Sequence, residues 1–213
     1  MAYLFTSASS QAIHNASSAP VTAFPLTIAA WVKCTSFGGQ AVCISNGAGL
    51  VQVSINASGQ ATAFARDDSQ AQQFTATTAT TAATTGTWNH IAAVFASASS
   101  RTAYLNGVAS ATNTSAITNS IAAYNRISIG SRFVGARDSF FNGDIAEVGV
   151  WNAALAANEI AGLAKGFRCR MIRPQSLCFD LRMIRDLQDL SRALAMTNTN
   201  GATVSTHPRI IYP

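Results

Sequence analysis

A pair of carboxylates a few ångströms apart is the minimal machinery for hydrolysing a glycosidic bond. The nearest pair in this chain is Asp144 and Glu147. They stand three residues apart, so a regular strand would send their side chains to opposite faces and keep them from one substrate. Nucleophilic catalysis has no better support. His14, His90 and His207 are far apart in the sequence, and no nucleophile elbow accompanies any of them. His90 follows Trp88-Asn89 at the head of an apolar run, a place for a structural hydrogen bond. Glycine-rich phosphate loops are absent. These residues predict a protein that is not an enzyme.

Metal chemistry is equally thin. Arg66-Asp67-Asp68 and Arg137-Asp138 offer oxygen atoms, but Ca²⁺ wants about six to eight of them, and adjacent aspartates in a loop serve as a turn device. The four cysteines lack the CxxC spacing of a zinc site. No metal and no cofactor is expected. Cys34 and Cys43 flank Gly38-Gly39. If those glycines form a two-residue hairpin turn, the cysteines face each other in a non-hydrogen-bonded pair. They would then be small apolar fillers, adjacent enough to cross-link on oxidation.

Charge is sparse and unevenly placed. Charged residues are 11% of the 213, against roughly a quarter in an average globular protein, and hydrophobic residues are 48%. That balance excludes a disordered chain. Of 14 Lys and Arg, seven fall between Lys165 and Arg192, with three acids, Asp180, Asp186 and Asp189, among them. Arginine makes bidentate contacts to carboxylates at interfaces, so Arg168, Arg170, Arg173, Arg182 and Arg185 form the candidate partner-docking set. No nucleic-acid-binding motif accompanies them, and nucleic acid is not an expected partner. Neither is a membrane: the longest apolar run, Ile91 to Ala96, is far short of the ~20 residues of a spanning helix. The N-terminus carries no basic, apolar secretory pattern, which predicts synthesis in a cytosol and reduced cysteines. The Asn-x-Ser sequons at Asn15, Asn56 and Asn113 then arise by chance in a Ser-rich chain.

The elements that must position these groups are short strands. Apolar, β-branched stretches run over Leu26–Val32, Ala41–Ser45, Leu50–Ile55, Ala61–Ala65, His90–Ala96, Ala103–Leu105, Arg126–Ile129 and Asp144–Trp151. Between them sit Gly38-Gly39, Asn46-Gly47, Ser58-Gly59, Asn106-Gly107 and Asn142-Gly143, and Asn-Gly favours the positive φ of a type I′ hairpin. Such punctuation predicts a β-sandwich or barrel. Ala71 to Thr87, mostly Ala and Thr, reads as an irregular strand or surface loop. One helix is expected from Leu155, with Leu155, Ile160 and Leu163 on a shared face and Gly166 at its C′ position. Beyond Pro174, Ser176–Leu181 suits a strand, and Asn200-Gly201 to Pro213 another extended pair.

In order, these segments resemble the laminin G-like domains of the concanavalin A superfamily. Phe24-Pro25-Leu26-Thr27-Ile28-Ala29-Ala30-Trp31-Val32-Lys33 is similar to their F-T-I-x-A-W-V-K strand, and Trp88-Asn89-His90-Ile91-Ala92 to W-x-H-I-A. Tyr104-Leu105-Asn106-Gly107 resembles Y-x-N-G, and Ile127-Ser128-Ile129-Gly130 resembles I-x-I-G. Phe141-Asn142-Gly143-Asp144-Ile145-Ala146-Glu147-Val148 is similar to F-x-G-x-I-x-E-V, and Trp151 to Ile160 to the W-N-x-x-L-S-x-x-E-I tail. The resemblance implies an all-β, concanavalin A-like (laminin G-like) jelly-roll sandwich of two antiparallel sheets with one short C-terminal helix, over residues 1–165. It also implies that Trp31, Trp88 and Trp151 are core residues rather than sugar platforms. The chain departs from the family at Ala146, often an acid, and at Ala156, usually a helix-capping Ser, which leaves Glu159 with half a capping box.

Residues 166–213 form a basic extension expected to pack back on the sandwich or on a neighbouring subunit. Arg173-Pro174-Gln175-Ser176-Leu177 and His207-Pro208-Arg209-Ile210-Ile211-Tyr212-Pro213 resemble the R-P-x-S-L and H-P-x-I-I-Y-P ending of laminin G-like proteins from tailed bacteriophages. This implies a non-catalytic virion protein made in the host cytoplasm: a capsid decoration or cement subunit, or a tail or fibre accessory module. Its partners would be major capsid or tail proteins and copies of itself, as in a trimer. The alternative is a lectin-like adhesin for host cell-surface glycans, with Phe133, Phe140, Phe141 and Asn142 as its candidate binding residues.

Overall fold

The computed structural model describes residues 1–69, 73–77, 82–117, 121–184 and 186–211. Arg185 of the docking set, part of the Ala/Thr-rich segment and the terminal Tyr212-Pro213 lie outside the described residues. In chain order the strands are β1 (Ala2–Phe5), β2 (Ala12–Asn15), β3 (Leu26–Cys34), β4 (Gln40–Ser45), β5 (Leu50–Ile55) and β6 (Ala61–Arg66). There follow β7 (Gln73–Thr77), β8 (Asn89–Ser97), β9 (Ser100–Leu105), β10 (Val108–Ala109), β11 (Arg126–Ile129), β12 (Arg132–Val134) and β13 (Ala136–Asp138). Then come β14 (Gly143–Trp151), the helix α1 (Ala157–Ala164), β15 (Leu177–Leu181), β16 (Thr197–Thr199) and β17 (Thr203–Ser205). No helix among the described residues is long and apolar enough to cross a membrane.

Two antiparallel sheets face each other, as the sequence predicts. The first runs β10-β9-β8-β3-β14-β1-β17, with β15 also on β14; the second runs β16-β2-β11-β4-β5-β6-β7. β12 and β13 form a separate two-stranded ribbon. Alternate residues of each strand point inward, so Ile28, Val32, Ile91 and Ile145 of the first sheet meet Ile44, Val53, Ala63 and Ile127 of the second in one core. A smaller cluster lies on the outer side of the first sheet, where Ile160 and Leu163 of α1 and Leu155 before it pack on Trp151 and Tyr104. The residues past α1 are woven into the sandwich. β14 pairs β3 along one side, while β1 and β15 share its other side end to end.

Turn chemistry explains the hairpins. Asn106 and Gly107 both have positive φ, 51° and 84°, and join β9 to β10 as a type I′ turn requires. The three sequon asparagines are local turn devices: the side-chain oxygens of Asn15, Asn56 and Asn113 accept backbone N–H groups two residues on. α1 ends as the sequence predicts. Gly166 has φ 96°, and the Gly166 and Phe167 N–H groups donate back to Leu163 and Gly162 in a Schellman arrangement.

Three expectations change. Gly38-Gly39 does not close a hairpin: β3 belongs to the first sheet and β4 to the second. Cys34 lies opposite Gly143, and Cys43 opposite Ser128 and Gln52, so the two thiols are not neighbours. Asp144 and Glu147 do not diverge, because β14 carries a bulge between Ala146 and Gly149, with Glu147 at φ 49°. The extra residue breaks the period of two. Asp144 pairs with Lys33, which also bonds Thr206, and Glu147 meets His207, so both carboxylates lie under the C-terminal tail. Of the three tryptophans only Trp151 is fully buried, donating its indole N–H to the Ile172 carbonyl; Trp31 and Trp88 are half-buried outside the core.

Candidate functional site

Side chains on the outer face of the second sheet alternate with core residues, and most of them are polar. One row crosses six strands in register: His14, Ser128, Cys43, Gln52, Phe64 and Thr75. A second row sets Gln40 opposite Ser54 and Ser54 opposite Thr62. The β12–β13 ribbon lies over β4 and β11, anchored where the Ser45 hydroxyl donates to the Phe133 carbonyl and the Ser128 and Ser131 hydroxyls share a 2.6 Å bond. It divides this face into two clefts.

The first cleft, about 400 Å³, is lined by Gln40, Gln52, Ser54, Asn56, Thr62, Phe64, Thr75 and Arg132. Ser54 and Thr62 satisfy each other through a 2.6 Å hydroxyl bond. Arg132 holds Asp138 through two 2.7 Å bonds, and this carboxylate raises its already high pKa. Gln52 is different. Only 4% of it is exposed, yet its Oε1 has no hydrogen-bond partner among the described residues. The Gln40 Oε1 is buried and unpartnered in the same way. The sequence carries a signal for this cleft in the polar alternation of Gln52 and Ser54 along β5 and of Thr62 along β6.

The second cleft, about 390 Å³, lies on the other side of the ribbon and is lined by Ser10, Phe133, Gly135, Ala136, Arg137, Phe140 and Asn200. Here the structure brings together two of the four candidate glycan-binding residues, Phe133 and Phe140. Phe141 is buried in the core, and Asn142 bonds the Ser36 hydroxyl beside the crossover to β4. The guanidinium groups of Arg126 and Arg137 both pack over the Phe133 ring, at 4.8 and 5.4 Å. Arg137 Nη1 also sits 3.0 Å from Nε2 of His14, a buried imidazole that meets Phe133 edge-on. Burial and the Arg137 charge push the His14 pKa below its ordinary value.

The docking arginines lie elsewhere, around the outer side of the first sheet. Arg170 reaches Asp180 at 2.7 Å and the Leu190 carbonyl, and Arg182 stands 4.0 Å from Asp180. Burial raises the Asp180 pKa, against the lowering effect of Arg170. Arg173 holds Glu159 at 2.6 Å and the Ala154 carbonyl. Arg168 is half-buried beside Cys169. The Arg173 contacts tie the extension to the sandwich, whereas the Asp180 pairs lie within the extension. The buried Asp189 carboxylate shapes the loop that follows, accepting the N–H groups of Asp180, Ser191 and Arg192.

At the Arg66-Asp67-Asp68 corner, Asp68 Oδ1 accepts from the Asn46 side chain and the Gly49 N–H, which is turn chemistry. Among the described residues no group of three or more His, Cys, Asp or Glu side chains is placed to hold a metal ion.

Comparison with known proteins agrees with this architecture. Residues 6–161 match the family model of the concanavalin A-like lectin/glucanases superfamily. No curated protein matches the chain. Among solved structures it is similar to a native heptameric SAP-like pentraxin from Limulus polyphemus, with a TM-score of 0.67 and 15% identity over 92% of this chain and 89% of that one. A putative carbohydrate-binding protein from Bacteroides ovatus gives 0.67 and 17%, over 99% of this chain and 61% of that one. The CBM40 of Ruminococcus gnavus IT-sialidase, bound to alpha2,3 sialyllactose, gives 0.58 and 16%, over 68% and 84%. At such identities the structural likeness speaks to fold alone. The family match, covering most of the chain, shows that this protein belongs to the concanavalin A-like lectin/glucanases superfamily.

Proposed function

We propose that this chain is a non-catalytic, lectin-like module that binds glycan on the outer face of its second sheet. Gln52 carries the reading. An amide oxygen buried without a partner costs roughly 1–3 kcal/mol, and a sugar hydroxyl donating to it recovers that cost. Phe64 in the same cleft offers an apolar surface for the C–H face of a pyranose, and Gln40, Asn56 and Thr75 supply further polar atoms. The relatives named for carbohydrate binding make this chemistry a natural one for the scaffold. The non-catalytic part rests on how the acids are engaged: Asp144 with Lys33, Glu147 with His207, Asp180 with Arg170. A glycan array probed with the full chain, with and without Ca²⁺, tests the reading. A selective hit that Gln52→Ala abolishes is the expected result, and uniform silence would overturn it.

We also propose a setting for this module, a tailed-phage virion. The phage-like ending supports it, and two residues of that ending are anchors: Arg173 holds Glu159 and His207 meets Glu147. The chain would then be a capsid decoration or cement subunit, or a tail or fibre accessory. It would be made in the host cytoplasm and assembled with capsid or tail proteins as a homo-oligomer such as a trimer. Quantitative mass spectrometry of gradient-purified particles separates the cases. Hundreds of copies would mean a shell role, a handful to a few tens a tail or fibre role, and absence would remove the virion from the account.

A further inference from the structure

The two faces of the β12–β13 ribbon differ in charge. On one, Arg132 is neutralised by Asp138 through a two-bonded pair. On the other, Arg126 and Arg137 converge on the Phe133 ring, and neither forms an ion pair with an acid among the described residues. Among the described residues, Arg126 hydrogen-bonds a neutral partner, the Asn125 side chain. Arg137 is backed by His14, whose ring lies within 3.0 Å and is buried. Two cations stacked on one ring repel each other, so the arrangement is raised in energy until an anion joins it. The cleft in front of Arg137 is open, about 390 Å³, with Phe140 on its wall and Ser10 and Asn200 at its rim. The rim is fixed, because the Asn200 side chain donates to the Ser10 carbonyl.

Resting on the glycan-binding reading above, we propose that this cleft is the subsite for an anionic group, carboxylate or sulfate, on the bound glycan, with Arg137 as its bidentate partner. The planar guanidinium fork matches two oxygens of such a group, and lysine would not. Phe140 takes the apolar face of the sugar ring that bears it. Arg126, across the Phe133 ring, adds a second positive charge to the same field. The Gln52 cleft reads hydroxyls on the other side of the ribbon, so the two clefts divide recognition between neutral and charged parts of one ligand.

The test uses matched oligosaccharides: neutral parents, their uronate-containing counterparts and their sulfated counterparts, titrated into the full chain by calorimetry. The expected result is that an anionic member binds about tenfold to a hundredfold tighter than its neutral parent, the value of a charged hydrogen bond. That preference shrinks as salt rises. Arg137→Gln and, separately, Arg126→Gln reduce the preference, and Lys165→Gln, a remote charge, leaves both the preference and neutral binding unchanged. The uronate and sulfate arms identify which anion is taken. Equal binding of neutral and anionic members, or a preference that survives both arginine variants, would overturn the subsite while sparing glycan binding. Absence of binding to every member would remove both.

Discussion

Nε2 of His207 lies 3.2 Å from Oε1 of Glu147, and this contact fastens the end of the chain to a bulge in the middle of the first sheet. Glu147 is 4% exposed, sits at φ 49°, and has no hydrogen-bond donor on either carboxylate oxygen among the described residues. Removing the histidine leaves a buried polar group without its neighbour, at a cost of about 1–3 kcal/mol. His207→Ala should lose about that much stability by urea unfolding. Glu147→Gln combined with it should recover part of the loss, whereas strict additivity of the two changes would mean that the contact carries no coupling.

The helix start offers a gain rather than a loss. Ala156 donates its N–H to Glu159 Oε2 at 2.7 Å, which is one half of a capping box. No side-chain oxygen on Ala156 answers the exposed N–H groups of the first turn. Ala156→Ser should therefore stabilise the protein by about 1 kcal/mol, read as a higher urea midpoint at unchanged slope. A neutral or negative effect would contradict the helix start described above.

His90 governs part of the response to acid. It is fully enclosed, its Nδ1 has no hydrogen-bond partner among the described residues, and burial pushes its pKa down to about 3. The unfolded chain takes up that proton near pH 6.5, as free histidine does, so between about pH 6.5 and pH 3 the unfolded state holds more protons. The stabilisation is complete above that window and is lost as pH falls through it. Asp180, with its pKa raised by burial, works in the opposite sense, favouring the fold at lower pH. His90→Leu should keep stability near neutrality and flatten its decline between about pH 6.5 and pH 4. An unchanged slope would mean that other groups set the acid limit.

All four thiols are free and buried, and burial raises Cys34 to about 12 and Cys43 to about 11. The thiolate is the reactive form, so native protein at mild alkaline pH should react with an aromatic disulfide reagent far more slowly than the denatured chain. Mild oxidation should not link Cys34 to Cys43, because they belong to different sheets. A native intramolecular crosslink between them, found by peptide mapping, would contradict the strand assignment.

The longer strands, the Asn106-Gly107 turn and the helix end at Gly166 were legible because each depends on neighbours in sequence, whereas the short strands β1, β2, β12 and β13 carry no long apolar alternation and were not. Nor was sheet membership. Gly38-Gly39 reverses the chain equally well into a hairpin or across to the opposite sheet, and the crossover is set by distant partners: Gly38 N–H donates to the Ile55 carbonyl, Gln40 N–H to the Ser139 carbonyl, and Gly39 packs on the Phe141 backbone. The Glu147 bulge was hidden for a related reason, since positive φ at a residue other than glycine leaves no compositional mark. Gln52 was visible as one polar residue in an apolar run, but its unpartnered oxygen arises from strands brought alongside from elsewhere in the chain. Of the candidate glycan-binding residues, Phe133 and Phe140 were reachable as aromatics, and the structure leaves both half-buried at the cleft. Arg137 is also backed by His14, 123 residues away in sequence.

The most direct test of the central claim is a map of where glycan binds. Amide shifts of the ¹⁵N-labelled chain, followed while the best oligosaccharide from the array is titrated in, should move at Gln40, Gln52, Phe64 and Thr75, across the outer face of the second sheet. Shifts confined to the first sheet or to the C-terminal extension would place binding elsewhere and contradict the account.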